Sequence, residues 1–151
     1  MLKLIDSALG ADVLHALRSM GHGDELTVCD MNFPADTLAR ATALGKLLHM
    51  PSATSPAAIR SILTVFPLDT FVDDAAVRMA VVGRPAEVQP IMTEVQAEID
   101  AAEGKGKFTL KAIGRFAFYE RAGKSYCIIR NAERRFYGCF ILKKGVIPPD
   151  A

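Results

Sequence analysis

The segment DVLHALRSMGHGDELTVCD, residues 12–30, changes its hydrophobic period halfway along, and that change decides the fold class. Over residues 12–20 the apolar side chains Val13, Leu14, Leu17 and Met20 recur at helical spacing. Asp12 is a suitable N-cap in front of them, and Gly21 follows as a stop. Residues 26–29, LTVC, form a short apolar run of the kind that makes a buried strand. A helix therefore leads through a glycine turn into a strand.

The alternation continues along the chain. Phe33-Pro34 marks a turn into a helical segment over Asp36–Ala43, and Lys46–His49 suits a second short strand. Ser55-Pro56 predicts a helix start, with the serine as cap, the proline at the first helical position, and Ile59, Ile62, Leu63 and Phe66 on one face up to Pro67. Val77–Val82, bounded by Gly83, reads as a strand. Ala86–Ala102 reads as a long helix with Val88, Ile91, Met92, Val95 and Ile99 in its apolar stripe. The link GKGKF from Gly104 lacks the spacing and the Lys-Ser/Thr ending of a phosphate-binding loop. Phe108–Ile113 is expected to be extended. RFAFYERA, residues 115–122, is read as a helix closed by Gly123, although FAFY alone would suit a strand. SYCIIR and YGCFILKK, separated by the polar NAERR, read as two neighbouring strands. The expected fold is α/β: a single layered domain over residues 1–151, its central sheet mostly parallel or mixed and flanked by helices.

The chain's 151 residues, 50% of them hydrophobic, suffice for one core. A net charge of +1 gives no electrostatic footprint for nucleic acid or anionic lipid, so neither partner is expected. The short basic stretches RNAERR and Lys143-Lys144 read as solvated or subunit-facing surface. Cys29, Cys127 and Cys139 show no CxxC spacing, and Cys29 and Cys127 sit in apolar runs as small core residues. With no signal-peptide core and no bilayer-length apolar run, a soluble cytoplasmic protein is expected.

His22, between Gly21 and Gly23, is the sharpest chemical feature, and the residues alone leave several readings open. It could simply decorate a turn. It could bind zinc through His-Gly-Asp, but His15 and His49 are not at ligand spacing. It could serve a nucleophile, but no GxSxG occurs. It could act as a cofactor-free general acid and base, an imidazole titrating near neutrality with Asp30 orienting it or binding hydroxyls. Geometry constrains the last reading, because the four-residue strand LTVC spans about 13 Å. His22 and Asp30 meet only if the glycine loop folds back or the partner comes from another subunit. Asp69, in FPLDTF, could cap its own turn or reach a neighbour's pocket.

GHGDE at 21–25, DxxFPA at 30–35, RFAFYERA at 115–122 and YGxxxLKKGV at 137–146 resemble the RbsD/FucU family, nearer its fucose mutarotase branch than its ribose pyranase branch. The resemblance implies an isomerase that interconverts the α and β anomers of a free monosaccharide, L-fucose or a related sugar. It implies no metal, no organic cofactor, and a homo-oligomer, a decamer of stacked rings. It makes His22 the proton donor, acting with Asp30, and Asp30, Arg115, Tyr137, Gly138 and Cys139 the sugar contacts. Cys139 departs from the pattern, standing where the family has asparagine, and a thiol is only a weak hydrogen-bonding group. The alternatives are pyranose–furanose interconversion of D-ribose, against which Arg115 in place of a histidine speaks, and a non-catalytic sugar-binding regulatory module. Tyr119 and Glu120 are weaker candidates, with core packing and a surface ion pair as their plainer roles.

Overall fold

A computed structural model describes residues 2–149. In chain order the elements are α1 (Ala11–Ser19), β1 (Glu25–Cys29), α2 (Ala35–Ala39), β2 (Leu47–Met50), α3 (Ser55–Leu63) and β3 (Ala76–Met79), then α4 (Pro90–Glu103), β4 (Lys111–Ile113), α5 (Arg115–Lys124), β5 (Cys127–Asn131) and β6 (Phe140–Lys143). The six strands form one sheet in the order β2-β5-β1-β6-β3-β4. β1 pairs in parallel with β5 and antiparallel with β6. β2–β5 and β3–β4 are parallel and β3–β6 is antiparallel, so β6 alone runs against the rest and the sheet is mixed.

The central strands bury apolar residues on both faces, because helices cover both, with Thr27 of β1 and Arg78 of β3 as polar exceptions. Leu26, Val28, Ile129, Phe140 and Leu142 face the larger layer, packing with Val13, Leu17, Ile59, Ile62, Ile91 and Val95 of α1, α3 and α4. Their alternates Ile128 and Ile141, with Cys29, face the smaller layer with Val77, Met79, Phe118 and Ala122. Cys29 and Cys127 are fully buried, and burial pushes both thiols up, that of Cys127 to about 12. Among the described residues no helix is long and apolar enough to cross a membrane.

Several local expectations are corrected. The last two strands are not neighbours: β1 lies between β5 and β6. The intervening residues 132–139 are no hairpin turn, but carry the chain past the end of β1 to its other side. Asp12 does not cap α1. Gly10 does, and Asp12 lies in the first turn, where a carboxylate still faces the positive end of the helix dipole. Ser55 is likewise inside α3, with Thr54 at the N-cap position, because its hydroxyl is used elsewhere. α2 stops at Ala39, and α4 starts only at Pro90, which leaves Val88 exposed. The residue before a proline is disfavoured in helical conformation, which resets the start of α4. β3 ends at Met79, and Val81 and Val82 enter a tight turn at Gly83, whose φ is +75°.

The β6 exit is packed against the α3–β3 connection. Gly145 donates its N–H to Pro67 O at 2.9 Å, and a Cβ added there would lie 2.4 Å from Leu68 O. Backbone cannot give way as a flexible side chain can. Gly145→Ala is therefore expected to lower unfolding stability by about 1–3 kcal/mol, read as a lower urea midpoint at unchanged slope.

Candidate active site

Asp30 follows the last residue of β1 and is 4% exposed. Its carboxylate is the hub of two chain segments. Oδ1 accepts from the N–H groups of Asn32 (2.9 Å) and Phe33 (3.1 Å), and Oδ2 accepts from the N–H of Gly138 (3.1 Å) and the thiol of Cys139 (3.4 Å). The segment that crosses from β5 to β6 is thereby pinned onto the end of β1. Burial pushes the Cys139 thiol well up, as does the negative charge of Asp30, so it remains a donor.

Gly138 has to be glycine. A Cβ would meet Glu133 Cγ at 2.8 Å, Ser55 Oγ at 3.1 Å and Asp30 Cβ at 3.2 Å. Its carbonyl accepts from Ser55 Oγ at 2.8 Å, and Ser55 Oγ accepts in turn from Asn131 Nδ2 at 2.8 Å. Asn131 Oδ1 accepts from the N–H of Glu133, whose buried carboxylate receives the N–H groups of Arg134 and Arg135 and the Arg135 guanidinium. Burial alone would raise Glu133, but the Arg135 and backbone bonds outweigh it and hold the carboxyl low. This network was hidden in sequence inside NAERR, read there as a polar turn on a solvated or subunit-facing surface. Ser55, Asn131 and Glu133 are all at most 3% exposed.

Tyr137 is held at φ +63°, a left-handed conformation uncommon for a bulky residue and found where surroundings enforce it. Its hydroxyl accepts the N–H of Val82 at 3.2 Å, tying the crossing segment to the turn after β3. α5 closes the other side. Arg121 binds Glu25, the first residue of β1, so Arg115 at the opposite end of α5 lies toward the end that carries Asp30. Arg115 is exposed, its guanidinium 5.0 Å from the Phe116 ring centroid.

These residues enclose a cleft of about 340 Å³ lined by Asp30, Arg115, Tyr119, Tyr137 and Cys139, with Asn32, Phe33, Met79, Val82 and Phe136 completing the walls. Gly138 lies beneath it through the Asp30 bond. Tyr119 both lines the cleft and packs edge-on against Phe33 at 5.2 Å, while Glu120 makes a surface ion pair with Lys124 at 2.6 Å.

His22 is not in this cleft. Gly21 N–H donates to Asp24 Oδ2, Gly23 N–H to Lys144 O, and Gly23 takes φ +84°. The loop is thus fastened beside the end of β6 and does not fold back along β1. His22 lies at the far end of β1 from Asp30, separated by a five-residue strand of about 16 Å. Its partner is Asp69: Nε2 lies 3.2 Å from Oδ2 of this 3% exposed residue, whose Oδ1 also accepts the Phe71 N–H. Asp69 thus caps its own turn, as one of its two sequence readings has it, and in addition holds the imidazole of its own chain. The imidazole also packs edge-on against the exposed Phe71 ring at 5.5 Å. Lys144, read as surface, is half-buried and donates to Leu17 O and Met20 O. Among the described residues no three His, Cys, Asp or Glu side chains gather in metal-holding geometry, and His15 and His49 stand apart and exposed.

The fold is α/β, and its cleft lies at the carboxyl end of a central strand, lined by one carboxylate, one guanidinium and aromatic walls, the place where such sheets offer a candidate small-molecule site. The chain belongs to the RbsD / FucU transport protein family, whose model matches residues 3–147. It is 36% identical to the fucose mutarotase of Danio rerio, over 99% of this chain and 97% of that one. The crystal structure of protein Atu2016 is 55% identical, covers 98% of this chain and 97% of its own, and superposes with a TM-score of 0.94. The fucose mutarotase of Streptococcus pneumoniae in complex with L-fucose is 34% identical, covers 97% and 100%, and has a TM-score of 0.86.

The Phe71 N–H bond holds the Asp69 carboxyl below its ordinary 3.8; burial opposes this, and the His22 bond and charge support it. A lowered native value stabilises the fold fully above the unfolded value, and that contribution fades as pH falls through the native one. Asp69→Asn is expected to be less stable than wild type at neutral pH and to lose less stability between about pH 5 and pH 2, measured by urea unfolding across that range.

Proposed function

We propose that this chain, over residues 1–151, is a monosaccharide mutarotase interconverting the α and β anomers of L-fucose or a closely related sugar. The observation that carries this reading is the cleft itself. A rigidly anchored carboxylate, a guanidinium and two tyrosines surround a space suited to one sugar, in a chain similar along almost its whole length to fucose mutarotases.

Mutarotation needs a proton delivered to the ring oxygen and another taken from the anomeric hydroxyl. The C1–O5 bond breaks as C1=O forms, the aldehyde rotates about C1–C2, and the ring closes by the reverse transfers. Asp30 and Arg115 bind hydroxyls and keep the open chain in place, and Tyr137 and Gly138 shape the floor. Cys139 donates its thiol to Asp30 and presents sulfur rather than an amide to the ligand. His22 is the proton-transfer group, since an imidazole gives and takes protons near neutrality. Asp69 on Nε2 leaves Nδ1 as the nitrogen free to face a sugar.

His22 reaches a cleft only if that cleft belongs to a second copy of the chain. Exposed apolar residues at both ends support this. Phe71 stands beside His22, while Val82 and Phe136 line the cleft and Met31 and Phe116 adjoin Asp30 and Arg115. We therefore propose a ring-forming homo-oligomer, a decamer of paired rings, acting in the cytoplasm without metal or organic cofactor.

Saturation-transfer NMR between the α and β anomer signals of L-fucose is expected to show exchange faster than the spontaneous rate. His22→Ala should return it to that rate, a loss of about a hundredfold or more in catalysed exchange. Unchanged exchange across a panel of sugars would reject the reading, and calorimetric binding without exchange would favour a sugar-binding module. Catalysed exchange between ribose pyranose and furanose signals alone would favour the pyranase chemistry.

A further inference from the structure

β3 carries Val77 and Met79 on the face toward α5, and so places Arg78 on the opposite face, under α4. Arg78 is 7% exposed, yet the only hydrogen bond its side chain makes among the described residues is from Nη1 to the Met92 thioether, at 3.3 Å. No buried side-chain nitrogen or oxygen among them lacks a partner, so its remaining N–H groups open onto the adjoining space. That space is a pocket of about 250 Å³ lined by Arg78, Val88, Met92, Thr93, Gln96 and Thr109. A guanidinium cannot shed its charge, and a buried charge without a counter-charge is costly unless a polar ligand meets it.

The acids around α4 are engaged elsewhere. Glu87 is bonded to Arg84 and Gln89, Glu94 to Arg135, and Asp100 to Gln96. The Gln96 side chain is itself used up on Asp100, Phe108 O and the Leu110 N–H. Thr93 and Thr109, exposed at the pocket rim, have hydroxyls bonded to no other described residue. A fork of N–H donors at the base, with two hydroxyl donors at the rim, is a complement for an oxyanion.

We propose that this pocket is a second binding site, on the face of the sheet away from the sugar cleft, for a small oxyanion: a phosphate or carboxylate group seated on the Arg78 guanidinium. The anion supplies the counter-charge that the chain itself withholds. Sulfur at Met92 and the apolar flank of Val88 and Leu110 keep the pairing partly dry, which strengthens it. The site is independent of the mutarotase reading, because none of its residues lines the cleft.

Inorganic phosphate is the probe, titrated by calorimetry into the full-length protein at constant ionic strength held with chloride. Saturable binding of one phosphate per chain is expected. It should be weakened about tenfold or more in Arg78→Met, and less in Arg78→Lys, which keeps the charge but loses the fork. Thr93→Val with Thr109→Val, both at exposed positions, keeps the proposal testable if Arg78→Met does not fold, and should weaken binding about two- to fivefold. No saturable binding to wild type, or undiminished binding in the folded variants, overturns the proposal. A phosphate response that appears only with a change in light-scattering mass also overturns it, since the cation then serves a contact between copies.

Discussion

The end of β1 is held by the Asp30 carboxylate, and the rest of the site depends on that clamp. Its two oxygens receive four donors, from Asn32, Phe33, Gly138 and Cys139, which belong to two segments far apart in sequence. The β5–β6 segment is also tied by the Met31 N–H to Glu133 O, by Ser55 to Gly138 O and by the Val82 N–H to the Tyr137 hydroxyl, but the Asp30 carboxylate is what fastens Gly138 and Cys139 directly to the end of β1. The same contact demands a glycine at 138, whose carbonyl recruits Ser55 and, through Asn131, the Glu133–Arg135 pair. Satisfied polar networks of this kind specify one arrangement, because each buried group left unpaired would cost more than its bond contributes.

The topology explains why the clamp exists. A chain that must pass from one side of the central strand to the other crosses over its end, and the crossing segment covers whatever that end presents. Here it presents an aspartate, and the crossing residues are YGC. The cleft is therefore built by the sheet order rather than by a dedicated loop. The far end of β1 is organised differently: the glycine loop is fastened to β6 and Asp69 steadies His22, which stays half in solvent.

The alternation of helix and strand was legible in the sequence, since its periods are local, and so were Asp30, Arg115, Tyr137 and Cys139 as a set through their motifs. What local patterns could not show was adjacency. β5 and β6 read as a hairpin because only a polar segment lies between them, and no window includes the strand that slips between. Ser55 read as a cap because serine before proline usually is one, whereas tertiary hydrogen bonds to Gly138 and Asn131 claimed its hydroxyl. Glu133 read as part of a solvated or subunit-facing surface because charges cluster around it, yet it is buried, and the backbone N–H groups of Arg134 and Arg135 with the Arg135 guanidinium satisfy its carboxylate there. The distance between His22 and Asp30 was legible from strand rise alone, and the fastening of the loop leaves a second chain as the remaining way for them to meet.

In the proposed mutarotase, one working site takes His22 from one chain and Asp30 from another. The most direct test is to co-express His22→Ala chains with Asp30→Asn chains in equal amounts and measure anomer exchange of the purified mixed oligomers. Random assembly makes about a quarter of the sites intact, so exchange near a quarter of the wild-type rate is predicted from two separately inactive chains. Mixed oligomers no more active than the two variants alone would rule out a site shared between chains.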